Sequence, residues 1–356
     1  KDYINTYTPY RGILIYHGLG AGKTCASIGI AEGMKHDKEV VIMTPASLQK
    51  NYREQLTTCG DFFYKKNQFW EFMNTSDNPH LEEALSQILS LDRQYIRKKG
   101  GAWMVNVKKK SNYESLKQSP DKLESLNNQI TKMIENKYKF INYNGIRKTK
   151  IKELEEQALR KYGTKNFFSH KVIVVDEAHN LISRIINKIK SKDSDLISNK
   201  LYEYLLDADD CKIVFLSGTP IINYPNELAI LFNILRGYIK TYQISIKVET
   251  SKKKIDLDYF KNKLKKYNLI DYIDYDRSKK KLIVTRNMFG FVNYFKAAKY
   301  EGVYKHLRGE KDDNKFLYKL YSILEDNETG EKEITVEKKL TEVIKNKALP
   351  ENEKEF

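Results

Sequence analysis

A chain of 356 residues, 40% of them hydrophobic, is long enough to bury at least one substantial core, which excludes a disordered polymer. A formal charge of +16 favours a polyanionic partner, with nucleic acid the commonest; a lysine-rich solvated surface is the plainer alternative. Three cysteines, Cys25, Cys59 and Cys211, far apart and odd in number, predict neither a disulfide framework nor a zinc site and fit a reducing compartment.

No apolar run reaches the roughly 18 residues of a bilayer span, so no membrane partner is expected. The chain opens at Lys1 rather than Met, so a fragment is expected. From there to about residue 237, short β-branched apolar runs alternate with helical patterns, the signature of a parallel sheet covered by helices. The first run, GILIY (Gly12 to Tyr16), leads into HGLGAGKT and then into the helical pattern CASIGIAEGM. Strand, glycine loop and helix in that order aim backbone N–H groups and the positive helix end at a phosphate. Gly18, Gly20 and Gly22, with Ala21 between them, allow close approach; Lys23 can reach the β- and γ-phosphates, and the Thr24 hydroxyl can ligate Mg²⁺. His17 stands where the strict pattern has glycine, but it lies where the chain leaves the strand and need not spoil the amides that follow. ATP and Mg²⁺ are the cofactors this loop predicts.

The second strand, EVVIM (Glu39 to Met43), runs into Thr44 and Pro45. Residues 60–137 are polar, aromatic and lysine-laden, too long for an ordinary loop, and predict an inserted subdomain. Strands YKFIN (Tyr138 to Asn142) and KVIVVD (Lys171 to Asp176) follow, the latter ending in Asp176-Glu177-Ala178-His179. That strand end carries Asp176 to the same sheet edge as the glycine loop, to hold Mg²⁺ through water while Glu177 polarises the attacking water. Lys23, Asp176 and Glu177 are therefore the candidate catalytic residues, with Thr24 and Asp176 the candidate metal ligands. The fifth strand, KIVFLS (Lys212 to Ser217), leads into Ser217-Gly218-Thr219-Pro220. Beyond it, TYQISIKVE, LIDYIDYD and KKKLIVT predict antiparallel strands around a helix near Asp256 to Lys266, a small α+β unit over 238–300, followed by a charged, partly helical tail over 301–356. Basic runs IRKKGG and VKKK with Trp103, then SKKK, KNKLKK and RSKKK among tyrosines, offer phosphate contacts and base-stacking rings; a solvated lysine-rich face is the alternative for each.

Asp-Glu-Ala-His resembles motif II of superfamily 2 helicases and translocases, Ser217 to Pro220 resembles their motif III, and VIMTPASLQKNYREQL resembles motif Ia. With TPYRGILIYHGLGAGKTC, SGTPIINYPNELAILFNILRG and IVTRNMFGFVN, these blocks from Thr8 to Asn293 resemble the helicase-like ATPases of large cytoplasmic DNA viruses. That group includes the poxvirus early transcription factor small subunit and nucleoside triphosphate phosphohydrolase I. The resemblance implies a RecA-like P-loop lobe over residues 1–237, with Thr44 and Pro45 facing a nucleic-acid backbone and His179, Ser217 and Thr219 coupling nucleotide state to strand binding. It implies a helicase or translocase of viral early transcription, with nucleic acid as partner, DNA ahead of RNA, an RNA polymerase or transcription factor subunit as a second partner, and the viral factory or virion as location. A promoter-binding or polymerase-docking subunit that uses ATP as a switch, and a pump of duplex DNA, are the alternatives. Superfamily 2 enzymes complete the ATP site with arginines of a second lobe, and no Q-x-x-G-R-x-x-R string occurs here, so this chain is expected to bind ATP and hydrolyse it weakly. Arg286 is assigned instead to the accessory unit.

Overall fold

In the computed structural model, which describes residues 2–18, 20–76, 78–189, 197–250, 253–265, 267–288, 290–297, 299–306, 313–326 and 333–351, all five apolar runs are strands. The chain runs β1 (Gly12–Tyr16), α1 (Lys23–Glu32), β2 (Glu39–Thr44), α2 (Ala46–Cys59), β3 (Trp70–Asn74), α3 (Pro79–Leu89), α4 (Arg93–Lys99), β4 (Gly101–Val105), α5 (Tyr113–Lys117) and α6 (Pro120–Lys137). It continues with β5 (Tyr138–Asn142), α7 (Lys148–Tyr162), β6 (Lys171–Val175), α8 (Ala178–Ile189), α9 (Ile197–Asp207), β7 (Lys212–Ser217) and α10 (Glu227–Arg236). Strands β1, β7, β6, β2 and β5 form one parallel sheet in that order, with Tyr16 beside Ser217 and Met43 beside Val175. Every residue of β6 and β7 is buried, which is why these strands read as unbroken apolar runs rather than alternating ones. Helix α8 buries Ala178, Leu181, Ile182 and Ile185, the i, i+3, i+4, i+7 stripe of a helix packed on one face. This is the expected α/β architecture of a RecA-like lobe. Because β7 separates β1 from β6, the carboxyl ends of these three strands lie side by side, and the motifs that follow them share one edge.

The 60–137 segment contributes the antiparallel pair β3–β4 and helices α3 to α6. Its Trp70, Leu85, Ile96, Leu126 and Ile130 belong to one buried cluster with Val40, Ile42 and Val172 of the sheet, so it extends the core of the lobe. Trp103 lies in that core too. Its backbone N–H donates to Gln129 Oε1 at 2.7 Å and its indole N–H to Ser125 Oγ at 3.2 Å. The expectation that Trp103 offers a base-stacking ring is thus corrected: both the ring and its polar handle are used internally.

The cysteine reading is corrected as well. Cys25, on the first turn of α1, and Cys59, the last residue of α2, have Cα atoms 5.4 Å apart and form a disulfide; Cys211 is buried and outside any disulfide. The two residues are 34 apart in sequence, and only the packing of α1 on α2 brings them together, which a spacing rule cannot see.

Two compact units divide the chain, one built chiefly on Gly12–Leu228, the other on Ala229–Phe356 with Thr6–Arg11. In the second, β8 (Ile239–Val248), α11 (Leu257–Leu264), β9 (Ile270–Asp276) and β10 (Lys281–Arg286) supply the expected antiparallel strands and helix. Next come β11 (Phe291–Lys296), β12 (Lys299–Lys305), α12 (Asp313–Glu325), β13 (Ile334–Val336) and β14 (Glu342–Asn346). The tail differs from expectation, because besides α12 it supplies two strands: β13 pairs with Ile246 to Val248 and β14 with Ile239 to Gln243 of β8. Ile334, Val336, Phe316 and Leu320 complete a core with Tyr242, Ile244, Phe260 and Leu282. Arg286 does lie in this unit, its guanidinium 4.9 Å over the Phe316 ring and 3.4 Å from Asp313. Among the described residues no helix is long and apolar enough to cross a membrane.

Candidate functional site

Six residues, His17 to Gly22, carry the chain from β1 to α1, and Leu19 is the one of them outside the described residues. Gly20 and Gly22 have φ of +74° and +77°, backbone angles that cost an L side chain about 1 kcal/mol or more. Among the described residues, chain neighbours aside, no atom stands within 4 Å of where a Cβ would project from Gly18, Gly20 or Gly22, so the loop is open to a ligand's close approach. No side chain caps the start of α1, and no acidic residue occupies its first turn, so the positive end of the helix is not offset locally. Lys23 is buried and folds back into the loop, its ammonium donating to the carbonyls of His17 and Gly18 at 2.9 Å each. Those two carbonyls hold the cation where a phosphate would compete for it. His17 contributes through its backbone, which explains why glycine is not required there.

Asp176 follows β6 directly and continues its ladder, its N–H donating to Met43 O at 2.9 Å. The side chain is buried, and Oδ1 accepts the Glu177 N–H at 3.1 Å. Burial first, then the Glu177 carboxylate, push the Asp176 carboxyl up to about 6, against the pull of the nearby Lys23 ammonium. Glu177 has φ +47°, the left-handed region that an unbranched residue enters only when its surroundings hold it there. Tyr143, one residue past β5, does that holding. Its buried hydroxyl donates to the carbonyls of Asp176 and Glu177 at 3.1 Å each, and burial raises the phenol's pKa, so it remains a donor. Arg184 on α8 braces the Tyr143 and Asn144 carbonyls at 3.2 and 2.9 Å. Sequence reasoning missed Tyr143, and its only signal was a tyrosine placed just after a buried strand.

The Ser217 to Pro220 turn touches both of these groups. A Cβ added at Gly218 would stand 3.5 Å from His17 O and 3.7 Å from Lys23 Nζ, so the turn lies against the glycine loop. His179 Nδ1 is 2.9 Å from Ser217 Oγ, 3.4 Å from Thr219 Oγ1 and 3.4 Å from Glu177 Oε2, while Ser217 Oγ accepts the Thr219 N–H at 3.0 Å. One ring nitrogen thus faces a carboxylate on one side and two hydroxyls on the other. Buried Glu227, at the head of α10 and also missed from sequence, accepts from the Ile222 and Asn223 amides at 2.6 and 3.2 Å and so fixes the loop beyond Pro220.

Lys23, Asp176, Glu177, His179, Ser217 and Thr219 are therefore brought to one edge of the sheet. Thr44 and Pro45 are at that edge as well, at the end of β2, but both are buried. The turn that the resemblance has facing a nucleic-acid backbone thus joins the end of β2, the fourth strand of the sheet, to the helix that starts at Ala46. Part of each of several basic runs meets an acid of the same chain: Arg97 meets Glu82 at 2.9 Å, Lys254 meets Asp256 at 2.9 Å, Lys281 meets Glu342 at 3.0 Å, and Lys109 meets Glu71. Ser251, Lys252 and Lys266 of those runs lie outside the described residues. A cavity of about 530 Å³ lies at the opposite edge of the sheet, around the starts of β2, β5 and β6, and its charges are paired with one another, as in Lys38–Asp210 at 2.7 Å and His170–Asp210 at 3.2 Å.

No family model matches the chain. Among curated proteins it is similar to a protein of Acanthamoeba polyphaga mimivirus, provisionally named an ATP-dependent RNA helicase, with 29% identity over 236 residues, 66% of this chain and 31% of that protein. It is also similar to the African swine fever virus protein named termination factor NPH-I homolog, with 23% identity over 229 residues, 64% of this chain and 23% of that protein. The chain is thus similar to helicase-named proteins of large DNA viruses. A provisionally named helicase of invertebrate iridescent virus 3 adds 23% identity over 249 residues, 66% of this chain and 19% of that protein. The chain thus spans a third or less of the length of these relatives.

Proposed function

We propose that this chain is the ATP-binding lobe of a nucleic-acid-dependent helicase or translocase that acts in viral transcription, in the viral factory of the host cytoplasm or in the virion. The observation that carries the reading is the His179 bridge, which links the Glu177 carboxylate to Ser217 and Thr219 across two strand ends. An ATP site that only bound or hydrolysed nucleotide would have no use for such a link. When the Glu177 carboxylate turns towards an attacking water, the His179 Nδ1 it faced is left to Ser217 and Thr219, and the turn that follows β7 feels the change.

The donor set fits ATP with Mg²⁺. Among the described residues no cluster of three or more His, Cys, Asp or Glu could cage a metal, and Mg²⁺ does not need one, since it usually takes one or two protein oxygens and completes its shell with phosphate and water. Thr24 and Asp176 would be those protein ligands, and a dication beside Asp176 would restore the charge that burial disfavours. Bound there, the ion supplies charge neutralisation to the phosphates. With nucleotide bound, Lys23 would leave the His17 and Gly18 carbonyls for the β- and γ-phosphates, the amides from Gly20 to Thr24 would cradle them, and Glu177 would polarise the water. The names of the relatives, RNA helicase and termination factor, support a nucleic-acid partner and a transcription role. DNA is proposed ahead of RNA, and an RNA polymerase or transcription factor subunit is proposed as the second partner.

The test uses the full-length protein, comparing oligonucleotide affinity with a non-hydrolysable ATP analogue and with ADP, for wild type, Ser217→Ala and His179→Ala. Wild type should show a difference of about fivefold or more between the two nucleotide states. Both variants should lose that difference while keeping their ATP affinity. Retention of the full difference in both variants would overturn the bridge as the coupling element.

A further inference from the structure

The two-stranded ribbon β11–β12 carries large aromatic residues that the fold does not bury. Tyr294, Phe295, Tyr300 and Tyr304 are between 44% and 54% exposed, although rings of this size are ordinarily the first side chains a core takes up. They form two edge-on pairs, Tyr294 with Tyr304 at 5.2 Å and Phe295 with Tyr300 at 5.7 Å. Tyr294 and Phe295 are consecutive in a strand, so the two pairs project from opposite faces of the ribbon. A bulge between Tyr294 and Phe295 twists the ribbon at that point, and Gly302 opposite Tyr294 brings no side chain across that ring.

The root of the ribbon is fixed. Phe291 is buried, the Asn293 N–H donates to Asn268 O at 2.7 Å, Asn293 Nδ2 donates to Ile270 O at 2.6 Å, and Asn287 Nδ2 donates to Asn293 Oδ1 at 2.9 Å. The rings therefore stand on an anchored support and not on a free loop. Around them are exposed Lys296, Lys299, Lys305 and His306, with Glu301 the one acid between Phe291 and His306, and Lys305 Nζ sits 4.6 Å over the ring of exposed Tyr7.

We infer that the β11–β12 ribbon is a stacking platform for single-stranded nucleic acid, an inference that rests on the nucleic-acid-dependent reading above. Exposed rings flanked by cations suit unpaired bases, which present flat faces to stack and phosphates to neutralise. A duplex hides its base faces, and a protein partner would be expected to meet the rings with a less one-sided set of charges around them. With rings on both faces, the ribbon can take bases on either side.

The test measures binding of the full chain to a fluorescein-labelled oligothymidylate, the matching duplex and the matching RNA strand, by fluorescence anisotropy across a salt series. Tyr294→Ala/Tyr304→Ala should weaken oligothymidylate binding at least tenfold, since loss of one stacking ring costs about fivefold to over a hundredfold per base. Tyr294→Phe/Tyr304→Phe should restore it, because the ring and not the hydroxyl does the work. Lys296→Ala/Lys299→Ala should flatten the salt dependence, by about 0.7 in log–log slope for each lost phosphate contact, whereas the tyrosine pair should leave the slope unchanged. If the tyrosine-to-alanine pair binds as tightly as wild type, the platform is overturned while the ATPase reading stands. If those substitutions instead abolish self-association seen by sedimentation and leave oligonucleotide affinity intact, the ribbon is a protein interface and the inference fails. Failure of wild type to bind any nucleic acid would remove the reading underneath.

Discussion

Replacing Asp176 with asparagine should stabilise the nucleotide-free protein at neutral pH while removing its response to Mg²⁺ and ATP. Burial and the neighbouring Glu177 move the Asp176 carboxyl from 3.8 to about 6. A carboxyl raised in this way means that the fold prefers the protonated form. Its contribution is fully present below the unfolded pKa of about 4 and is lost as pH climbs through about 6. A gap of about two units at roughly 1.4 kcal/mol each sets a ceiling near 3 kcal/mol on what ionised Asp176 costs the empty site. Asparagine keeps the neutral form at every pH, and its Oδ1 can still accept the Glu177 N–H. Urea unfolding of both proteins at about pH 4 and about pH 7.5 isolates the term, because every other titration is common to the pair. The two should be nearly equal at the lower pH, with the variant more stable by about 1–3 kcal/mol at the higher. Added Mg²⁺ and ATP should then raise the wild-type midpoint and leave the variant's where it was. A variant that is no more stable than wild type at about pH 7.5, or whose advantage does not grow with pH, would refute the reasoning.

Tyr143→Phe removes the donor that serves the Asp176 and Glu177 carbonyls; it should cost about 1–3 kcal/mol in denaturant unfolding and lower turnover in the full-length protein with little change in ATP affinity. Thiol titration of the denatured, unreduced chain should find the single sulfhydryl of Cys211, rising to three after reduction, and closing the 34-residue separation between Cys25 and Cys59 should make the oxidised form about 4 kcal/mol more stable in the chain-entropy account.

The parallel sheet was legible because its strands are buried on both faces and so must be written as unbroken apolar runs. The glycine loop, Asp176-Glu177 and Ser217 to Pro220 were legible because each follows such a run, and the order of strands then carries all three to one edge. Strands β13 and β14 were hidden within a Glu- and Lys-rich tail, since pairing along β8 is made by backbone groups that leave no mark on composition. The motif placed Thr44 and Pro45 at a strand end, but their burial depends on neighbours that the motif does not contain. Trp103 and the basic runs were ambiguous for a related reason. Whether a ring or a lysine faces solvent or a partner depends on residues such as Gln129 or Glu82, far away in sequence or unremarkable in type. Tyr143 and the Cys25–Cys59 pair are contacts across α/β crossovers, visible only once the chain is folded.

The most direct test of the account is steady-state ATP turnover by the full-length protein without nucleic acid and with single-stranded DNA, duplex DNA or RNA, in wild type and Glu177→Gln. The account predicts that at least one nucleic acid accelerates wild-type turnover and that Glu177→Gln lowers the stimulated rate by about a hundredfold or more while still binding ATP. Turnover indifferent to every nucleic acid, or undiminished in Glu177→Gln, would contradict it.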